Sequence, residues 1–166
     1  MLVLEPLTRD HLDALLRFET ENRAYFARSI SDRGDEFFAS FPDHLDALLA
    51  EQAAGVGAYY VLVDDLTGAI VGRFNLYGLE GGAADVGYRV AEAVAGRGVA
   101  SQALRDLCRR AAHEHGLARL SAGAGRANVA SQRVLEKAGF EVDGTGIVGD
   151  RPGIRFALDL SRAETR

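Results

Sequence analysis

The sequence predicts a single α/β domain built around a mixed sheet, and three observations carry that expectation. Apolar runs of strand length alternate with apolar stripes at helical spacing, in the order β-α-α-β-β-β-α-β-α-β-β. Turn signals stand at the breaks, among them Gly55, Gly68, Gly82, Gly116 and Gly139. A chain of 166 residues, 48% hydrophobic and 26% charged, is the size of one domain and needs no disulfide or metal to support its core. That core is expected over about residues 2–160, within a domain spanning residues 1–166.

The elements follow in order. Leu2-Val-Leu, ended by Pro6, is a first strand. Thr8 caps a helix on which Leu12, Leu15, Leu16 and Glu19 share one face, and Asp10 suits its positive end. Residues 28–41 lose the periodicity and carry Phe37, Phe38 and Phe41, either a small packing cluster or the lining of a groove. Pro42 opens a second helix with a stripe of Leu45, Leu48, Leu49 and Gln52, and Gly55 and Gly57 end it. Ala58–Val63 is a buried strand, 64–68 a turn, and Ala69–Leu76 its hairpin partner. The glycines of 78–82 turn the chain into a strand over Ala84–Val90. Ala100, Ala103, Leu104, Leu107, Cys108 and Ala111 then repeat at helical spacing up to Gly116. Leu117–Ala124 is a strand of small residues. Asn128 caps a short helix that Gly139 stops, with Phe140 as the hydrophobic lock. Phe140–Val148 and Ile154–Leu160 close the sheet, and a polar, frayed tail is expected from Ser161.

Composition narrows the function classes. With 24 acids against 19 bases the net charge is −5, which disfavours nucleic acid as a partner. No apolar run approaches the ~20 residues of a membrane helix. The opening residues lack a basic segment followed by an apolar one, so a cytoplasmic protein is expected. Cys108 is the only cysteine, which excludes an internal disulfide. His113 and His115 stand at i, i+2 and do not face a common ligand, so no metal is expected. A homodimer is compatible with this composition.

Two segments carry chemistry. Gly96-Arg97-Gly98-Val99-Ala100-Ser101 lies between a strand and a helix, where small residues let main-chain N–H groups gather around a phosphate at a helix N-terminus. A tight strand-to-helix turn also wants glycine, and the loop alone does not separate the two readings. It is neither a triphosphate P-loop, lacking Gly-Lys-Ser/Thr, nor a dinucleotide fingerprint, since Ser101 stands where the third glycine belongs. The second segment, Asn128 to Phe140, is an ordinary capped helix with one unexplained feature, the hydroxyl of Ser131 three residues after the cap.

Together with Asp85-Val-Gly-Tyr-Arg-Val90, these segments resemble the GNAT superfamily of acetyl-CoA-dependent N-acetyltransferases, and within it the Rim-type branch that acetylates ribosomal-protein N-termini. The resemblance runs from Leu4 to about Leu160 and implies a mostly antiparallel mixed sheet with helices on both faces. It implies that the family's pyrophosphate loop, Gln/Arg-x-x-Gly-x-Gly/Ala, falls on Ala95, Gly98 and Ala100. Ala95 departs from that pattern, which weakens the cofactor contact, and Arg97 is the neighbouring cation. It further implies that Tyr88, Arg89 and Val90 lie on a splayed strand that pairs with the pantetheine arm. Asn128 would contact that arm, and Ser131 would lie near the sulfur.

Acyl transfer needs a neutral amine, a stabilised oxyanion, a route for the amine's proton and a donor for the thiolate. Ser131 is the candidate donor, because many relatives use a late tyrosine and this chain has none after Tyr88. Glu19, Glu21, Glu80 and Asp85 are candidate bases, beside a water relay. Arg73 is compatible with either the cleft or solvent. The expected acceptor is a protein or peptide α-amine. A small-molecule amine or antibiotic acetyltransferase, and a non-catalytic acyl-CoA-binding module, are the alternatives.

Overall fold

The computed structural model describes residues 1–163. Seven strands form one sheet in the order β1-β2-β3-β4-β5-β7-β6. They are β1 (Leu2–Pro6), β2 (Gly57–Asp64), β3 (Ile70–Glu80), β4 (Ala83–Val90), β5 (Arg119–Gly125), β6 (Glu141–Val148) and β7 (Arg151–Asp159). All neighbouring pairs are antiparallel except β4 and β5, which need a crossover and receive it from helix α5 (Val99–His113). Helices α1 (Leu12–Glu21) and α4 (Phe41–Ala53) precede the hairpins, and α6 (Val129–Lys137) joins β5 to β6.

Each face of the sheet has its own core, because side chains alternate along a strand. Tyr60, Leu62, Phe74 and Leu76 point to the α5 side, where Leu104, Leu107 and Leu120 are fully buried. Tyr59, Val61, Val63 and Ile70 point to the opposite side, against Leu15, Phe18, Phe41 and Leu45 of α1 and α4. Strand β2 is covered on both faces, which accounts for its unbroken apolar run.

The expected order of elements is observed, with four differences. The first turn after Thr8 is a 3-10 turn over Arg9–His11, because the Thr8 N–H donates to His11 Nδ1 at 3.0 Å and tightens it. Between α1 and α4 the chain forms two short helices, α2 (Arg23–Phe26) and α3 (Asp35–Ala39). They are held by side-chain contacts within the segment rather than by an amphipathic stripe: Phe37 meets Phe41 edge-on at 5.5 Å, and Arg23 spans Asp32 and Asp35. Strand β3 runs on to Glu80, so the turn is confined to Gly81 and Gly82, both in the left-handed region. Residues 160–163 are a helical turn, α7 (Leu160–Ala163), so the frayed tail does not begin at Ser161. Leu160 is buried against the α5 side, and its N–H donates to the Ala118 carbonyl at 2.9 Å. The remainder of the expected tail, 164–166, lies outside the described residues. No helix among the described residues is long and apolar enough to cross a membrane.

Candidate active site

The site starts from a failure of pairing. Strands β4 and β5 are in register from Ala83↔Arg119 to Val86↔Ala122, and there their ladder stops. On their outer sides both continue, β4 with β3 as far as Val90↔Gly72 and β5 with β7 as far as Gly125↔Gly153. The facing edges of Gly87–Val90 and Gly123–Gly125 therefore diverge at the carboxyl ends of two parallel strands, the crevice where α/β sheets take ligands. Main-chain groups on such edges need partners.

Two glycines on these strands sit where no side chain would fit. A Cβ on Gly87 would come within 2.8 Å of the Tyr77 ring, and one on Gly123 within 2.8 Å of Val148 and 2.9 Å of Arg155. Neighbouring side chains close over both strands at these points.

Two helix N-termini open onto the crevice. Gly98, left-handed at φ 75°, is the N-cap of α5 and has no side chain with which to cap it. The first ladder bond of α5 runs from the Gln102 N–H to the Gly98 carbonyl at 3.1 Å, which leaves the N–H groups of Val99, Ala100 and Ser101 ahead of it. Gly96 is also left-handed, and Gly96, Arg97 and Gly98 are exposed while Ser101 is buried. Among the described residues Arg97 has no ion-pair partner. Ala95 ends a 3-10 turn over Glu92–Val94 in extended backbone. An exposed loop of uncapped N–H groups on a fifteen-residue helix fits a pyrophosphate on physical grounds.

The second N-terminus is that of α6. The Asn128 side-chain oxygen accepts from the Ser131 N–H at 3.2 Å, as the capping pattern predicts, and leaves the amide NH2 for a ligand. Gln132 Nε2 ties the helix to the end of β5 by donating to the Gly125 and Arg126 carbonyls at 2.9 and 3.0 Å. Ser131 is thereby held opposite β4. Its Oγ lies 3.0 Å from the Tyr88 hydroxyl, which also reaches the Ser131 carbonyl at 3.2 Å. Tyr88 stacks on Phe74, with ring planes 8° apart. Burial raises the Tyr88 pKa, while the hydrogen bond to Ser131 lowers it, so the phenol stays protonated at neutral pH. This contact spans 43 residues of sequence and was not legible in it.

The opposite face of the same strands is polar where a core would be expected. Glu19, 1% exposed, is gripped by Arg73 at 2.7 Å and by Arg89 at 3.3 Å. Arg73 is itself only 4% exposed, so it points into the protein and not to solvent. Arg89 also stacks over Phe26, and burial, ahead of the neighbouring charges, pushes its pKa down to about 10. Glu19 has a guanidinium on each oxygen, which makes it an anchor rather than the base. Next to Arg73, Asn75 donates through Nδ2 to the Tyr77 hydroxyl at 2.9 Å, while its Oδ1 is buried without a partner. The signal available in the sequence was Glu19 on the apolar stripe of α1, a carboxylate where a leucine would pack.

Other sequence candidates fall elsewhere. Among the described residues Glu21 and Glu80 are exposed without partners, and Asp85 pairs with Arg155 at 3.2 Å. His115 is bound to the Tyr60 hydroxyl at 2.7 Å. Cys108 is in the α5 core, where burial pushes its thiol up to about 12.

Comparison with known proteins places this geometry. The family model for the acetyltransferase (GNAT) domain matches residues 1–141. The probable N-acetyltransferase YjcK of Bacillus subtilis (strain 168) is 28% identical over 152 residues, covering 86% of this chain and 82% of YjcK. The ribosomal-protein-S5-alanine acetyltransferase of Vibrio fischeri superposes with a TM-score of 0.88 at 19% identity, over 95% of this chain and 92% of that one. The aminoglycoside acetyltransferase AAC(6')-Ib, solved in complex with coenzyme A, superposes with a TM-score of 0.79 at 20% identity, over 99% and 98% of the two chains. The chain belongs to the GNAT acetyltransferase family and is an acyltransferase with acetyl-CoA as co-substrate.

Proposed function

We propose that the protein acetylates the α-amine of a protein or peptide N-terminus by direct transfer in a ternary complex. The observation that carries the mechanism is the Tyr88–Ser131 hydroxyl pair, set beside the unpaired edges of β4 and β5. In this reading the N–H groups of Gly96–Ser101 hold the pyrophosphate. The edge Tyr88-Arg89-Val90 and the Asn128 amide hold the pantetheine arm, and a β4 N–H polarises the acyl carbonyl. Ser131 then gives its proton to the departing thiolate, the Tyr88 O–H resupplies it through their hydrogen bond, and the proton shed by the attacking amine returns to Tyr88 through water.

Among the described residues no carboxylate stands free beside the Tyr88–Ser131 pair, and that bears on the acceptor. An α-amine with a pKa near 8 is partly neutral at pH 7, whereas a lysine near 10.4 needs stronger deprotonation. Glu19, the buried carboxylate on the acceptor side, is already engaged by two arginines. The easier nucleophile suits such a site.

Two experiments test the reading. Ser131→Ala is expected to lower kcat by about a hundredfold with acetyl-CoA affinity near wild type, since a general acid acts in the transition state. A variant with normal kcat would make Ser131 an ordinary helix residue. Thiol release should be compared for short peptides beginning with Ala, Ser or Met, their N-blocked lysine-containing versions, polyamines and aminoglycosides. Higher kcat/KM on blocked lysine peptides or small amines would overturn the N-terminal assignment. Coenzyme A binding with no turnover on any amine would point to a binding module instead.

A further inference from the structure

The polar face described above opens into a narrow crevice between α1, α2 and the segment that follows, lined by Glu19, Arg23, Phe26, Arg33, Phe38 and Arg89. Its charges do not balance. Arg23 is neutralised by Asp32, which it grips through two nitrogens at 2.7 and 2.9 Å, and it also reaches Asp35. On the facing wall, Ser31 donates to Asp150 at 3.3 Å, and Asp150 and Asp85 face Arg151 and Arg155. On the side of the cleft, Glu92 faces Arg28. What remains is one buried carboxylate, Glu19, shared between Arg73 and Arg89, together with Arg33. Arg33 lies at the rim over the Phe37 ring, with no carboxylate bonded to it among the described residues. With Asp35 counted, four arginines (Arg23, Arg33, Arg73 and Arg89) stand against three carboxylates (Glu19, Asp32 and Asp35), an excess of one cation that falls on Arg33.

Neighbouring groups register this excess. The His44 pKa is pushed down to about 4, chiefly by burial and then by the charges of Arg73 and Arg33. Its Nε2, like Asn75 Oδ1, is buried without a partner. Arg73 and Arg89 are largely buried and share one carboxylate, so a second anion at Arg89 would offset part of their desolvation. Arg89 follows Tyr88 on β4, so its side chain leaves the same strand edge on the opposite face of the sheet from the Ser131 contact. An extended chain advances roughly 3.3–3.6 Å per residue, so a group one or two residues beyond a reacting amine comes within reach of these guanidinium groups.

We propose that the acceptor carries a carboxylate within two residues of the amine it presents, and that Arg33 and Arg89 receive it. The inference rests on taking this crevice as the acceptor side of the acyltransferase. Two sources supply that chemistry: an acidic side chain early in a peptide, or the α-carboxylate of a free amino acid. A guanidinium matches either by paired N–H donors.

The test is thiol release from acetyl-CoA by three peptides that share a serine N-terminus and differ only in a second residue of Asp, Ala or Lys, alongside free serine and serinamide. For the wild type, kcat/KM is expected to be at least about tenfold higher for the Asp than for the Lys peptide, the size of one charge-assisted hydrogen bond. Arg33→Glu should reverse the order, favouring Lys over Asp, with Arg33→Gln between. A reversed preference cannot come from misfolding, which would lower all rates together. Free serine exceeding serinamide by a similar factor, without a preference among peptides, identifies the amino-acid source. Peptides acetylated within twofold of one another with no serine preference, or an order unchanged in Arg33→Glu, would overturn the inference and leave the N-terminal reading standing. Turnover confined to small amines, with no peptide or amino acid acetylated, would overturn both.

Discussion

Glu19→Ala is expected to destabilise the protein by about 3–5 kcal/mol, the range for removing one partner of a buried ion pair. The magnitude follows from what is left behind. Arg73, almost fully buried, would keep its charge with no carboxylate in contact, and Arg89 would lose the anion that holds it beside the strand edge. Glu19→Gln should fall between, because an amide oxygen can still accept one of the two hydrogen bonds. Replacing both members of the inner pair, as Glu19→Leu with Arg73→Met, should recover much of the loss, since the desolvation cost disappears with the charges. Urea unfolding of the four proteins measures this directly. A Glu19→Ala variant within about 1 kcal/mol of wild type would mean that water reaches the triad and that it contributes little.

Ala100→Glu is expected to abolish acetyl-CoA binding at working concentrations while leaving the fold intact. The two halves of this expectation have separate causes. Ala100 lies in the first turn of α5, partly exposed, where a glutamate is a good helix former and its charge is favourable against the helix dipole. The same position puts that carboxylate where the loop's N–H groups would meet the pyrophosphate. Like charges brought together in a binding site cost several kcal/mol, on the order of a hundredfold or more in affinity. Calorimetric titration with acetyl-CoA reads the loss, and a thermal melt confirms the retained fold. Unchanged affinity would remove the 96–101 loop from the site.

Much of the framework is legible because its causes are local. Alternation and apolar runs mark β2 and β3, the stripe from Ala100 to Ala111 marks α5, and Asn128 and Gly139 bracket α6. Where sequence and structure differ, the cause is a side-chain or strand contact that periodicity does not encode. Helices α2 and α3 have no stripe of their own and are set by Phe37 on Phe41 and by Arg23 on Asp32 and Asp35. Strand β3 runs past Gly78 because its pairing with β4 resumes at Glu80↔Ala83 beyond an irregularity after Tyr77, whereas its ladder with β2 ends at Tyr77.

The candidate site divides the same way. Periodicity, capping and glycine placement, all consequences of backbone geometry within a few residues, determined that a glycine loop would open one helix and Asn128 another. Those are the parts proposed to hold the cofactor through main-chain groups. Which side chains meet was decided only in three dimensions. Tyr88 reaches Ser131 across 43 residues, and Glu19 reaches Arg73 across 54 and Arg89 across 70. Spacing along the chain says nothing of such pairs, because a polar side chain's partner is set by strand register and helix docking. Between Val86 and Val90, register with β3 continues while register with β5 ends, and that difference opens the crevice.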